Sequence, residues 1–314
     1  MLEPIFLEPV FKDRIWGGSK LNQLYGYNIP TPLTGECWGV SAHPNGQSTV
    51  KNGPYAGLSL GDLFRQHPEL FLSDSSTFPL LIKILDASDD LSVQVHPDDF
   101  YANEHENGEQ GKTECWYVLE SEPGAEIIYG HRASSREQLS QMIDQGEWDQ
   151  LLCRVQVNAG DFFYVPSGTI HAIGKGIVVL ETQQSSDTTY RVYDYDRRDP
   201  EGNLRELHLD KAINVTNIPH QESKLQYLTL SQDDAEITTL VSNDFFHVQK
   251  WRIAGKAALD SNPKFTICTV ISGNGELIVE EHIYALQHGD HFILPANFGH
   301  YELCGHLELI VSWK

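Results

Sequence analysis

Two blocks, Leu91-Ser-Val-Gln-Val-His-Pro-Asp-Asp-Phe100 and, after ten intervening residues, Gly111-Lys-Thr-Glu-Cys-Trp-Tyr-Val-Leu-Glu120, decide how this chain folds. In the first, Leu91, Val93 and Val95 alternate with Ser92, Gln94 and His96, the period of a strand with one apolar and one polar face. Gln94 and His96 therefore point the same way. In the second, the same alternation from Lys112 to Leu119 sends Lys112 and Glu114 to one side and Thr113 and Cys115 to the other. An amide, an imidazole and a carboxylate on neighbouring strands are a candidate metal-ligand set, with Glu114 as the third member.

A fourth member lies in Gly160-Asp-Phe-Phe-Tyr-Val-Pro-Ser-Gly-Thr-Ile-His171. Phe162 to Val165 read as a strand, Pro166 to Gly168 break it, and His171 follows on backbone stiffened by that turn. The spacing G-x5-P-x-G-x2-H resembles the second signature of the cupin superfamily, and Gln94, His96 and Glu114 resemble a variant of the first. The resemblance implies a small β-barrel in which both signatures meet around a divalent metal. Taken singly, each ligand is ordinary; jointly, Gln94, His96, Glu114 and His171 form one mixed nitrogen and oxygen site with room for water or substrate. Ligand type alone leaves zinc and iron both open.

The same block recurs near the C-terminus. Gly289-Asp-His-Phe-Ile-Leu-Pro-Ala-Asn-Phe-Gly-His300 matches it without a gap at Gly, Asp, Phe, Pro and His. Two related barrels follow as the expected fold: a mainly β chain of two cupin-type jelly rolls, with helical segments added to the N-terminal part. Val270 to Ile278 reads as a hairpin turning at Ser272-Gly-Asn-Gly275. Thr266 falls where the first copy has Glu114, and no Gln-x-His precedes it, so the second barrel is expected to bind no metal. The polar, aperiodic run before Asp234 places the boundary between a catalytic segment 1–234 and a C-terminal segment 235–314.

Between the blocks, short strands at 5–11, 36–42 and 47–50 are separated by turns read at Trp16-Gly17-Gly18 and Pro44-Asn45-Gly46. Helices are expected from Ser59, from a Ser134-x-x-Glu137 capping box, and over about 207–215. The strand 78–86 is apolar on both faces except at Lys83, which needs a partner if buried.

The chain has 314 residues, enough to bury about three quarters of its unfolded surface. With 22 Lys and Arg against 44 Asp and Glu, its charge of −22 argues against nucleic acid or anionic membrane as partners. Five cysteines without a C-x-x-C argue for a reducing compartment, and neither a signal peptide nor a membrane-spanning run is visible. A soluble, cytoplasmic protein acting on a small molecule is expected.

In Glu181-Thr-Gln-Gln-Ser-Ser-Asp-Thr-Thr-Tyr-Arg-Val-Tyr-Asp-Tyr-Asp-Arg197, Glu181 and Gln183 share one strand face. Parity puts Arg191, Tyr193, Tyr195 and Arg197 on one face of the next strand. Pattern alone equally allows Arg191 and Arg197 to be surface arginines paired with Asp187, Asp194 or Asp196. Together with P-L-L-I-K-I-L-D-A, L-S-V-Q-V-H-P-D, G-K-T-E-C-W-Y and P-S-G-T-I-H-A-I, this block resembles class I (type I) mannose-6-phosphate isomerases of the short bacterial kind. That resemblance implies a zinc-dependent aldose–ketose isomerase that interconverts mannose 6-phosphate and fructose 6-phosphate through an enediolate by moving a proton between C1 and C2. It implies zinc ligands at Gln94, His96, Glu114 and His171, a catalytic Arg191, and pocket positions at Lys83, Ser92, Lys112, Glu181 and Asp187. Arg197 stands where longer relatives carry lysine. An arginine does not act as a base, so Arg197 is expected to bind substrate, and Lys112 and Glu181 remain alternative bases. An iron-dependent cupin dioxygenase and a non-catalytic sugar-phosphate-binding cupin are the other classes the ligand set allows.

Overall fold

The computed structural model describes residues 2–198 and 202–314, and the chain divides into two compact units. One comprises Phe11–Glu36 and Ile84–Lys224; the other comprises Met1–Val10, Cys37–Lys83 and Leu225–Lys314. A boundary between the units falls at Lys224/Leu225, where a linear division into 1–234 and 235–314 was expected, and the division is not linear, because the N-terminal residues pair with the C-terminal sheet. Ile5, Phe6 and Leu7 run antiparallel to Ile293, Phe292 and His291, and Leu7 and Glu8 pair in turn with Val50 and Thr49. Such long-range pairings leave no local mark in the sequence.

In the first unit, a five-stranded sheet runs in the order Leu152–Gln156, Glu126–His131, His171–Ile173, Val93–Val95, Tyr190–Tyr193. A six-stranded sheet begins Phe162–Val165, Glu114–Ser121, Ile177–Gln184 and is completed in this unit by residues 84–87, 34–36 and 11–18. Strand parity sorts the side chains. Ile127, Tyr129 and Ile173 join Trp116, Val118, Val165 and Val179 in a core between the sheets. Their alternates Val93, Val95, Ile128, Ala172, Tyr190 and Val192 face outward. These are covered by the helices Arg136–Asp144, Trp148–Leu151 and Leu209–Val215, whose Leu139, Ile143, Leu151 and Ala212 complete that second core. The apolar face read at Val93 and Val95 is thus the helix-covered side, and Gln94 points into the barrel.

The second unit is built on a sheet ordered 228–232, 235–242, 247–260, 300–313, 266–279, 291–294, 5–8, 49–50, with 282–287 paired off 266–279. Leu277, Leu307, Leu309, Val270 and Val311 form its centre. Both barrels carry the mainly β architecture expected.

Several local expectations are corrected. Trp16-Gly17-Gly18 continues the strand Val10–Gly18, since the glycines let it approach its neighbour: a Cβ on Gly17 would stand 2.2 Å from Leu33 O. Ser272 to Gly275 is not a turn, because Thr266–Val279 is one strand and Gly275 lies opposite Gly305 in a crossing too close for a side chain. The cap of the 136–144 helix is Ser135, whose side chain accepts from Gln138 N, and not Ser134. Ser59 caps its helix as read, accepting from Asp62 N. Among the described residues, no helix is long and apolar enough to cross a membrane.

Candidate metal centre and active site

Register builds the site. Across the five-stranded sheet, His171 stands opposite Gln94, and Gln94 opposite Arg191, so the three side chains form one inward row. Across the other sheet, Glu114 stands between Val165 and Gln183, and Trp116 opposite Glu181. The two rows face each other: Glu114 Oε1 is 3.4 Å from His171 Nε2, and Oε2 is 3.3 Å from His96 Nε2. His96, Glu114 and His171, all buried, bring ligand atoms within 4.8 Å of one another.

The imidazoles are aimed by the backbone. His96 Nδ1 donates to Thr188 O at 2.9 Å and His171 Nδ1 to Thr169 O at 2.8 Å, which leaves each Nε2 lone pair directed at the carboxylate. The Pro166-Ser167-Gly168 turn holds this arrangement, since Gly168 N donates to His96 O, and Gly168 O and Ser167 O receive Asn217 N and Nδ2. Gln94 Nε2 lies 3.4 Å from His171 Nε2, and turning the amide over puts Oε1 in its place. Ser92 Oγ reaches Gln94 Oε1 at 3.4 Å.

Burial pushes the His96 imidazole down to about 3, with the Lys112 charge adding to it. Burial also lowers His171. For Glu114 burial acts upward, but Lys112 and the two histidines hold it well below the usual carboxylate range. Both imidazoles are therefore neutral and the carboxylate ionised at neutral pH, the protonation states that a metal requires.

This has a measurable consequence for the metal-free protein. In an unfolded chain each histidine titrates near 6.5. Below that pH the unfolded state binds more protons, so the stability these groups contribute is complete above about pH 6.5 and is lost as pH falls toward 3, at up to about 1.4 kcal/mol per pH unit per histidine. Urea midpoints of the chelated protein should fall between pH 7 and 4.5, with a shallower slope in His96→Gln. Equal slopes in the two proteins would show that His96 is already protonated in the fold.

Lys112 does not lie in the strand as read; it precedes Glu114, the first strand residue, and its amide donates to Pro97 O. Its Nζ is 2.5 Å from Glu114 Oε2, 3.2 Å from His96 Nε2 and 3.8 Å from Glu181 Oε1. Burial lowers the Lys112 ammonium, but Glu114 and Glu181 outweigh it and raise it. The Trp116 indole N–H bridges Glu114 Oε1 at 3.0 Å and Glu181 Oε1 at 3.3 Å. Arg191 donates Nη1 to Glu206 O at 3.1 Å, while its buried Nε has no protein partner. Asp187 is half-buried and acts electrostatically on Lys112 and Arg14.

One expected pocket residue is placed differently. The strand ends at Tyr193, and Tyr195 and Asp196 take positive φ, 55° and 52°. The assumed parity is lost there, and Arg197 swings away from Arg191 to bond Asp194 and the Asp90 carbonyl. Arg197 therefore leaves the face it was expected to share with Arg191. Lys83 belongs to the other unit, where it is buried with Nζ 4.9 Å from the centre of the Trp38 ring. Sequence reading missed Trp116 and the bidentate pair Arg14–Glu36, with Nε–Oε1 2.8 Å and Nη2–Oε2 3.1 Å. Trp116 was findable, being two residues from Glu114 on the same strand face.

The repeat accounts for the other barrel. Val165 pairs with Glu114, and its counterpart Leu294 pairs with Thr266, so a threonine stands at the carboxylate position. His300, counterpart of His171, is exposed and 3.2 Å from Asp260 Oδ1.

A jelly-roll barrel with inward histidines and a glutamate from the paired motifs defines a cupin with a candidate metal centre. Residues 5–119 match the family described as phosphomannose isomerase type I, catalytic domain, and 236–314 match mannose-6-phosphate isomerase, cupin domain. The chain is 54% identical to mannose-6-phosphate isomerase ManA of Bacillus subtilis, covering 99% of this chain and 98% of that one. It is likewise 54% identical to a mannose-6-phosphate isomerase of Streptococcus mutans, over 99% and 98%. A crystal structure of the Bacillus subtilis mannose 6-phosphate isomerase superposes with TM-score 0.97 at 51% identity over 99% of both chains. The Salmonella typhimurium enzyme, 17% identical, shares the fold with TM-score 0.80 over the whole length of both chains. The chain therefore belongs to the type I mannose-6-phosphate isomerase family.

Proposed function

We propose that this protein interconverts mannose 6-phosphate and fructose 6-phosphate with one zinc ion held by His96, Glu114, His171 and, more weakly, Gln94. The observation that carries the reading is the convergence of two lone-pair-bearing Nε2 atoms on an ionised, buried carboxylate, with both Nδ1 hydrogens fixed on carbonyls. That donor set suits zinc and leaves positions for substrate. A bound zinc ion would supply Lewis-acid polarisation of the sugar carbonyl.

The remaining chemistry falls to the protein. Proton transfer between C1 and C2 needs a base, and we assign it to Glu181: Glu114 and Glu181 hold Lys112 as an ammonium with no lone pair to take a proton, whereas Glu181 is an acceptor placed by Trp116. Lys112 and Arg191 are cations suited to charge developing on the substrate oxygens. Ser92, Asp187 and Lys83 are proposed substrate contacts, following the family resemblance. Arg197 is not, because its guanidinium is committed to Asp194 and Asp90. The catalytic barrel is proposed as the metal-binding one, and the C-terminal barrel as structural.

Formation of fructose 6-phosphate in a coupled assay should disappear after dialysis against chelator and return on adding one equivalent of zinc. Full activity in metal-free protein would remove the metal from this reading.

A further inference from the structure

We propose that Asp194, gripped by Arg205 and Arg197, is a positioning residue that aims Arg191 at the substrate. This rests on the role given to Arg191 above. Asp194 follows the strand that carries Arg191 and is almost fully buried at 5% exposure. Arg205 binds it with both arms of its fork, Nε to Oδ2 at 2.6 Å and Nη2 to Oδ1, and Arg197 Nη2 reaches Oδ1 at 2.5 Å. Two-pronged arginine–carboxylate pairing in a buried setting fixes orientation as well as distance.

What it fixes is the return of the loop. The residue after Arg205 is Glu206, whose carbonyl receives Arg191 Nη1 at 3.1 Å. His208 then closes on the Arg191 backbone from both sides: its amide donates to Arg191 O at 2.8 Å, and its Nδ1 receives Arg191 N at 3.1 Å. The path from Asp194 through Arg205 to the Glu206 carbonyl therefore ends on the Arg191 guanidinium, whose Nε is buried with no protein acceptor. A buried donor without an acceptor is destabilising, so it stays in place only if the surroundings hold it there. Asp194 also offsets charge: burial acts most strongly against the Arg191 cation, Arg205 and Arg14 add to it, and Asp194 and Glu206 favour it.

The test is a double-mutant cycle. Arg205→Met leaves Asp194 paired with Arg197, so the variant keeps a compensated carboxylate. With zinc loaded and content checked, it should lower kcat about ten- to a hundredfold, as expected for misplacing a reacting group by about an ångström. KM should stay within about twofold, and Arg205→Lys should recover part of the loss. In an Arg191→Ala background the same change should alter kcat less than about twofold, because the residue it acts through is gone. If Arg205→Met lowers kcat equally in both backgrounds, or leaves it intact in the otherwise native protein, the clamp is only structural and the inference fails while the role of Arg191 stands. If Arg191→Ala alone leaves kcat unchanged, the role of Arg191 fails and the inference with it. Should Arg205→Met not fold, Arg205→Lys carries the same cycle.

Discussion

Replacing His171 with alanine should yield a folded protein that no longer retains zinc and has no measurable isomerase activity. His171 supplies one of the two imidazole lone pairs, and its Nε2 is 3.4 Å from both Glu114 Oε1 and Gln94 Nε2, so its loss opens the centre of the ligand set. Removing the ring also leaves a cavity beside Trp116, whose ring centre lies 5.4 Å away, at a cost of about 2–4 kcal/mol of stability. Elemental analysis after gel filtration reads the metal directly. His300→Ala is the matched control: this counterpart histidine is exposed beside Asp260, and its loss should change neither metal content nor activity. Zinc retained at one per chain in His171→Ala would overturn the ligand assignment, and zinc lost in His300→Ala would place the centre in the wrong barrel.

Arg191→Ala should fold, keep zinc and lose about 10²–10³ in kcat with a small change in KM. The register sets Arg191 opposite Gln94, which stands opposite His171. A donor that meets charge appearing only in the transition state acts on turnover, whereas uniform binding acts on KM alone. The charge of −22 makes a locally cationic site necessary for an anionic sugar phosphate, and Lys112, Arg14, Arg191 and Arg205 are among the cations of the first unit. Steady-state kinetics showing a raised KM with kcat intact would reduce Arg191 to a binding residue.

The alternation in Ser92-Val-Gln-Val-His96 and in the run read from Lys112 were enough to bring amide, imidazole and carboxylate together, because strand parity is a local property of the backbone. The match of Gly160–His171 to Gly289–His300 likewise carried the second barrel and its missing carboxylate, and the register at Thr266 agrees with it. Where parity was extended past the end of a strand it failed: positive φ at Tyr195 and Asp196 turned Arg197 out of the row. The glycines at 17, 273 and 275 misled in the same way. Glycine serves a close strand crossing as readily as a turn, and nothing local tells the two apart.

The sequence by itself determined the mainly β character, the candidate ligand set and the duplication, all of which depend on neighbours a few residues apart or on repeated spacing. Only the tertiary structure decided which carbonyls fix the histidine tautomers, that Trp116 joins Glu114 to Glu181, that Asp194 gathers Arg197 and Arg205, and that residues 1–10 and 37–83 belong with 225–314. His96 reaches Thr188 across 92 residues and Trp116 reaches Glu181 across 65, while the His171–Thr169 and Asp194–Arg197 contacts join near neighbours whose geometry depends on the path of the turn between them. Hydrogen-bond and ion-pair geometry of that kind appears only once the chain has closed on itself.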